Sequence, residues 1–256
     1  MELKTVTWNI GGGKHLKANE DPTLMASYSV DAIEQIAQWL KRESPDIITL
    51  QEVQGDDHAN QVAEIARHMG YGNYFFDVTS DSFIDKDRLL GNGIISRFPI
   101  INHISGVFLN PNIEAVLQGR LIKTHDKGFS SCTVHIDGYD LVVVTLHLLP
   151  FLALGIELDS VLGQRLLDDI VVNIAPQSER TLIQGDFNID SERIKDAIPT
   201  LFRGRVDEVP LKVPTTPAGK RFDHVIFRNL SLQSCSIDAN VKTDHFPVTC
   251  IFRTDG

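Results

Sequence analysis

The sequence predicts an α/β domain of two mixed β-sheets packed face to face with helices outside, and three observations carry that expectation. Short apolar, β-branched runs suited to strands recur from one end of the chain to the other. Two of the segments between them have helical spacing. Both helices fall inside strand–helix–strand units, and every strand of those units stops abruptly at a polar residue.

In the first unit, residues 3–8 form a strand ending at Asn9. From Asp31 to Arg42 the apolar residues Ile33, Ile36, Ala37 and Leu40 share one helical face, with Asp31 and Glu34 as the N-terminal signal and Pro45 beyond the end. Residues 47–50 are a short apolar run typical of a buried strand, and it stops at Gln51-Glu52. In the second unit, residues 141–146 end at His147. Leu162, Leu166 and Ile170 then line a helix, and residues 181–183 run into Gly185-Asp186. Such crossovers join parallel strands, so the strand ends meet at one sheet edge, where ligand sites concentrate. Further strands are expected at residues 94–97, 100–109, 120–124, 131–136, 222–227, 231–237 and 248–252. Nothing reads as an interdomain linker, so residues 1–256 are expected to form one domain, with 210–217 as a surface loop.

The composition is that of an ordinary globular protein, with a net charge of −10. That balance speaks against broad, nonspecific binding to a polyanion, although a local basic track can coexist with it. Carboxylates around a metal ion would also contribute to it. Cys132, Cys235 and Cys250 show neither zinc nor disulfide spacing and read as reduced thiols. The N-terminus lacks the pattern of a signal peptide. The longest apolar stretch, residues 141–156, is interrupted by Thr145, His147 and Pro150 and falls short of the roughly 20 residues of a membrane span. A soluble, cytoplasmic protein is expected.

Taken singly, the polar strand ends have structural explanations: Asn9 a turn former, Glu52 a solvated carboxylate, His147 a core histidine, Asp186 a turn cap. Jointly they suggest a site, and further motifs accompany them: Gly185-Asp186-Phe187-Asn188, Asp223-His224, Thr243-Asp244-His245-Phe246-Pro247, and Gly91-Asn92-Gly93 opening a strand. In this order, with Trp8-Asn9-Ile10 and Leu50-Gln51-Glu52-Val53, they resemble the endonuclease/exonuclease/phosphatase superfamily across nearly the whole chain. The resemblance implies a four-layer α/β sandwich and a hydrolase of phosphate esters that uses Mg²⁺, with Mn²⁺ as a substitute. It implies Glu52 as the main metal ligand with Asn9 beside it and Asp244 adding a carboxylate. Asp223 would orient His245. Asp186 and Asn188 would position or deprotonate the attacking water, and His147 would contact the phosphate. Asn92 and Arg120 are further candidates for phosphate contact, with turn former and surface cation as their structural readings.

Two features depart from the family pattern. Thr243 stands where many relatives have serine. Asn9 is followed by Gly11-Gly12-Gly13 rather than by the carboxylate of the members that act on tyrosyl-DNA; this run reads as a flexible loop. The substrate expected is a phosphodiester of DNA or RNA; the alternative is a small phosphate ester or lipid head group. A non-catalytic binding module is disfavoured, because each metal and base position holds a competent side chain. The apolar residues 148–156 either cap the core, pack in an interface, or form a lip beside the site.

Overall fold

The computed structural model describes residues 1–56, 58–117, 120–176 and 178–254, with only the backbone of 117, 120 and 122. The chain opens with β1 (Glu2–Asn9), the short antiparallel pair β2 (Lys14–Leu16) and β3 (Tyr28–Asp31), and helix α1 (Ile33–Glu43). Asp31 does not cap α1. It ends β3, and its carboxylate bonds the Lys14 ammonium at 2.7 Å. Then come β4 (Ile47–Gly55), α2 (Gln61–Met69), β5 (Asn73–Asp81), β6 (Leu89–Ser96), β7 (Ile100–Val107) and the hairpin β8 (Glu114–Leu117) and β9 (Arg120–Lys123). β10 (Gly128–Ile136), β11 (Tyr139–His147), α3 (Val161–Ile174), β12 (Thr181–Asp186) and α4 (Ile194–Ala197) follow. β13 (Val206–Glu208), β14 (Asp223–Arg228), β15 (Ser231–Ile237) and β16 (Val248–Arg253) complete the described chain.

Two six-stranded sheets result, ordered β15-β16-β1-β4-β6-β5 and β13-β14-β12-β11-β10-β7. Both have one design. A central parallel pair, β1 with β4 or β11 with β12, is flanked by antiparallel neighbours. The parallel pairs are the two units expected from sequence, and the fold is the expected α/β sandwich of two mixed sheets.

Three apolar clusters hold the layers. One lies between the sheets, from Leu3, Ile47 and Ile94 to Val143, Val225 and Phe252. A second packs α1 and α2 on the outside of the first sheet, through Ile36, Leu40, Val62 and Ile65. The third packs α3 on the outside of the other, through Leu166, Leu167 and Ile170. Phe151 belongs to this third cluster and is 2% exposed, whereas Leu152 is 80% exposed. Residues 148–156 therefore cap the core, and Phe151 forms no lip. No described helix is long and apolar enough to cross a membrane.

Toward one edge the inter-sheet layer turns polar. Gln184 Nε2 donates to Thr49 Oγ1 at 3.0 Å, and Gln51 Nε2 donates to Thr145 Oγ1 at 2.7 Å. Buried amides and hydroxyls stay inside only when paired, so these bonds fix how the sheets meet beneath the strand ends.

Candidate active site

Strand register alone brings the polar ends together. Asn9 pairs with Gln51, His147 with Asp186, and Asp186 with Asp223. Asp186 thus stands between His147 and Asp223 on adjacent strands. Gly185 permits this, because a Cβ there would lie 2.2 Å from the Leu146 carbonyl oxygen. Glu52 arrives differently. The β4–β6 register shifts between Leu50 and Val53, and Glu52 sits in this bulge at φ 51°. A bulge re-aims a side chain, and a left-handed non-glycine residue costs about 1–3 kcal/mol that the surroundings must offset. Asn188 shares that strained region, also at φ 51°.

Asp186 is the hub. Its Oδ1 accepts the Asn188 N–H at 2.8 Å and its Oδ2 accepts Asn9 Nδ2 at 3.0 Å. His147 Nε2 and His245 Nε2 lie 3.4 and 3.7 Å from the same Oδ2. The Gly11 N–H donates to Asn9 Oδ1 at 3.0 Å, so both ends of the Asn9 amide are assigned by their partners. The Asn188 amide donates to the Leu148 carbonyl at 3.0 Å.

His245 Nδ1 meets Asp223 Oδ2 at 2.8 Å. Thr215 Oγ1 accepts the Asp223 N–H at 3.3 Å, and its carbonyl accepts the Phe246 N–H at 2.7 Å. The loop expected at 210–217 therefore braces this pair through a buried residue. Thr243 is buried too. Its hydroxyl donates to the His245 carbonyl at 2.6 Å and accepts Trp8 Nε1 at 3.2 Å.

Gly11, Gly12 and Gly13 are buried and left-handed, and they form a packed turn rather than the flexible loop expected. A Cβ on Gly11 would lie 2.7 Å from Asp244 Oδ1. Glycine there lets that carboxylate approach the turn that follows Asn9.

Lys127 was not anticipated. It is buried, with Nζ 3.7 Å from Glu52 Oε1 and 3.2 and 3.1 Å from the two His147 ring nitrogens. Asn92 is placed behind it. It lies opposite the Glu52 bulge, and its amide donates to the Gly128 carbonyl at 3.0 Å. The sequence signal was slight, a lysine before the glycine that opens β10. The Arg120 side chain lies outside the described part of the structure.

Charge follows from burial. Burial raises Glu52, against the pull of Lys127, and raises Asp186 and Asp244 to about 6 each. Burial lowers Lys127. Burial and then the Lys127 charge push His147 well below the usual histidine range, so its ring is neutral. Burial would lower His245 as well, but the Asp223 and Asp186 carboxylates outweigh it and hold the ring protonated well above that range.

The tightest set of ligating atoms among the described residues is Asp186, Asp223 and His245, all within 4.8 Å of one another. The His245–Asp223 hydrogen bond already uses two of them, so this set is suited to proton handling. Glu52, Asn9 and Asp244 offer oxygen alone, which suits a hard cation.

Carboxylates, histidines and amides at the strand ends of a two-sheet sandwich can hold a hard cation and move protons, which is the chemistry that hydrolysis of a phosphoric ester requires. The chain belongs to the endonuclease/exonuclease/phosphatase family, whose sequence model matches residues 6–245. Solved structures share the fold. An endonuclease/exonuclease/phosphatase from Beutenbergia cavernae DSM 12333 is 20% identical, with a TM-score of 0.76 over 100% of this chain and 72% of that one. D. rerio TDP2, complexed with a single-strand DNA product, is 16% identical over 99% of both chains, with a TM-score of 0.60. ANGEL2, described as a 2′,3′-cyclic phosphatase, is 14% identical over 98% of this chain and 95% of its own, with a TM-score of 0.63. A comparison with curated proteins gave no match.

Proposed function

We propose that the chain is a divalent-metal-dependent phosphodiesterase that cleaves phosphodiester bonds in nucleic acid and grips only a few phosphates around the scissile one. The observation that carries this reading is the convergence on Asp186 Oδ2 of Asn9, His147 and His245 within 3.0 to 3.7 Å.

A hard cation fits the oxygen donors. Three carboxylates crowd a buried space in which burial raises each, and the Asp244 Oδ1 atom has no hydrogen-bond partner among the described residues. Glu52, Asn9 and Asp244 would hold Mg²⁺, or Mn²⁺ in its place. When bound, the ion supplies Lewis-acid polarisation of the phosphoryl oxygens. Asp186, ionised at neutral pH yet more basic than a free carboxylate, takes the proton of the attacking water. Asn188 fixes the Asp186 orientation through its backbone N–H. Protonated His245 and Lys127 stabilise the negative charge that grows on the phosphoryl group. Neutral His147 offers it a hydrogen bond. Asn92 holds Lys127 in place through Gly128. This reading keeps the cytoplasmic setting, in which all three cysteines stay reduced.

Lys127→Met is expected to lower kcat/KM with Mg²⁺ present by about 10²-fold, while circular dichroism shows the fold retained. An unchanged kcat/KM would make Lys127 a mere counter-charge to Glu52.

The second reading is a small phosphate ester or lipid head group, and the pairing of surface cations favours it. Lys14 is paired with Asp31 and Asp85, Lys123 with Glu114, Lys220 with Asp190 and Arg97 with Asp46. Those cations leave little basic track for a long polyanion. A panel of oligonucleotides, phospholipids and soluble phosphate esters with Mg²⁺ or Mn²⁺ separates the readings. For an oligonucleotide gripped at two or three phosphates, log affinity should fall with log salt at a slope of about −2. Turnover confined to lipids or soluble esters overturns the nucleic-acid reading, and no turnover of any ester overturns both.

A further inference from the structure

The rim of the site carries an aromatic pair that the hydrolytic chemistry does not use. Phe83 lies between β5 and β6, and His125 lies in the segment leading into β10. Their ring centroids are 5.1 Å apart at an interplanar angle of 35°. Lys127 Nζ is 5.3 Å from the Phe83 centroid, and the same ammonium is 3.7 Å from Glu52. One side chain therefore separates the phenyl ring from the catalytic carboxylates.

Phe83 is nonetheless 38% exposed. Loop slackness does not explain this. Ser82 Oγ donates to Gln54 Oε1 at 2.9 Å and accepts the Ile84 and Asp85 N–H groups at 3.1 and 3.2 Å. Asp85 Oδ2 accepts Gln54 Nε2 at 3.0 Å and pairs with Lys14 at 2.9 Å. Ile84 packs on Gly12. The loop that bears Phe83 is thus tied on both sides to the elements that bear Asn9 and Glu52. Burial and the Lys127 charge keep His125 below the usual histidine range, so it presents a flat ring and no charge to compete for phosphate.

We propose that Phe83 and His125 form a stacking platform for the nucleobase adjoining the phosphate that is cleaved, with the Lys127 ammonium over the Phe83 ring on the side toward Glu52. This rests on the nucleic-acid reading and deepens it. An aromatic platform accepts any base, because every base has a π-face. It also reconciles nucleic-acid binding with the paired surface cations, since affinity would come from a base and a few phosphates rather than from a long basic track.

The test uses the whole chain with Mg²⁺ and a short single-stranded oligonucleotide whose linkages resist hydrolysis. It carries 2-aminopurine beside the target linkage, or an abasic sugar at that position. Quenching of 2-aminopurine on binding is expected, with about a tenfold preference for the base-bearing strand over the abasic one. Phe83→Ala should abolish that preference and Phe83→Trp should retain it. Equal affinity for the two strands, or a preference that survives Phe83→Ala, overturns the platform. Cleavage of ordinary oligonucleotides is scored separately. Base preference without cleavage sinks the hydrolytic reading alone, and cleavage without base preference sinks the platform alone.

Discussion

Glu52→Gln is expected to cut metal-dependent turnover by about 10³-fold or more while the fold survives. Gln matches the shape of Glu but not its charge, and charge is what a hard cation would take from this carboxylate. A Lewis acid contributes several kcal/mol to a phosphoryl-transfer transition state, and each ~1.4 kcal/mol is a factor of ten. Melting gives a second readout that is independent of substrate. A ligand at about 100 times its Kd stabilises a protein by ~2.7 kcal/mol. For a chain of this length that raises Tm by about 5–10 °C. Wild-type protein should show that rise with Mg²⁺ after chelation, and Glu52→Gln should not. Wild-type turnover that persists after thorough chelation, or a variant that keeps both the rise and the activity, would defeat the assignment.

The residues legible in the sequence were those whose position follows from local pattern. Asn9, Glu52, His147 and Asp186 each end an apolar run, and crossover helices made the parallel pairing of those runs predictable. What sequence left open depends on contacts between distant segments. Lys127 reaches Glu52 because Asn92, on another strand, holds the Gly128 carbonyl. The Glu52 bulge is a register shift, and no pattern within residues 47–55 announces it. The helix α2 carries local signals at both ends: Asn60 caps it by accepting the Ala63 N–H, and left-handed Gly70 closes it. β5, at the edge of its sheet, mixes half-buried and exposed residues without clean alternation, so its period was hidden. Residues 148–156 were ambiguous for another reason. Apolar content alone cannot tell a core cap from a binding lip, and only tertiary contact places Phe151 inside and Leu152 outside.

His245 and Asp223 are expected to act as one unit. The Asp223 carboxylate lies 2.8 Å from Nδ1, which orients the ring and leaves Nε2 facing Asp186 at 3.7 Å. A preorganised group that stabilises developing charge contributes about 10²–10³-fold. His245→Ala should therefore lower kcat by about 10³-fold. Asp223→Asn, which spares the buried volume, should cost about 10²-fold, because a neutral amide no longer favours the charged ring. The double variant should be little worse than His245→Ala, since each change disables the same device. Strictly additive losses would mean that the two residues work independently. The charge also predicts a pH dependence in chelated protein. The folded-state pKa of His245 is raised, so its contribution to stability is complete below the unfolded value near 6.5 and is lost as pH climbs through the folded value. Asp223→Asn lacks most of that contribution from the start. Melting curves of wild type and Asp223→Asn should lie furthest apart below pH 6.5 and converge as pH rises. A gap that stays constant with pH would mean that Asp223 supports the fold without holding a proton on His245, and the proposed cationic role of that ring would fall with it.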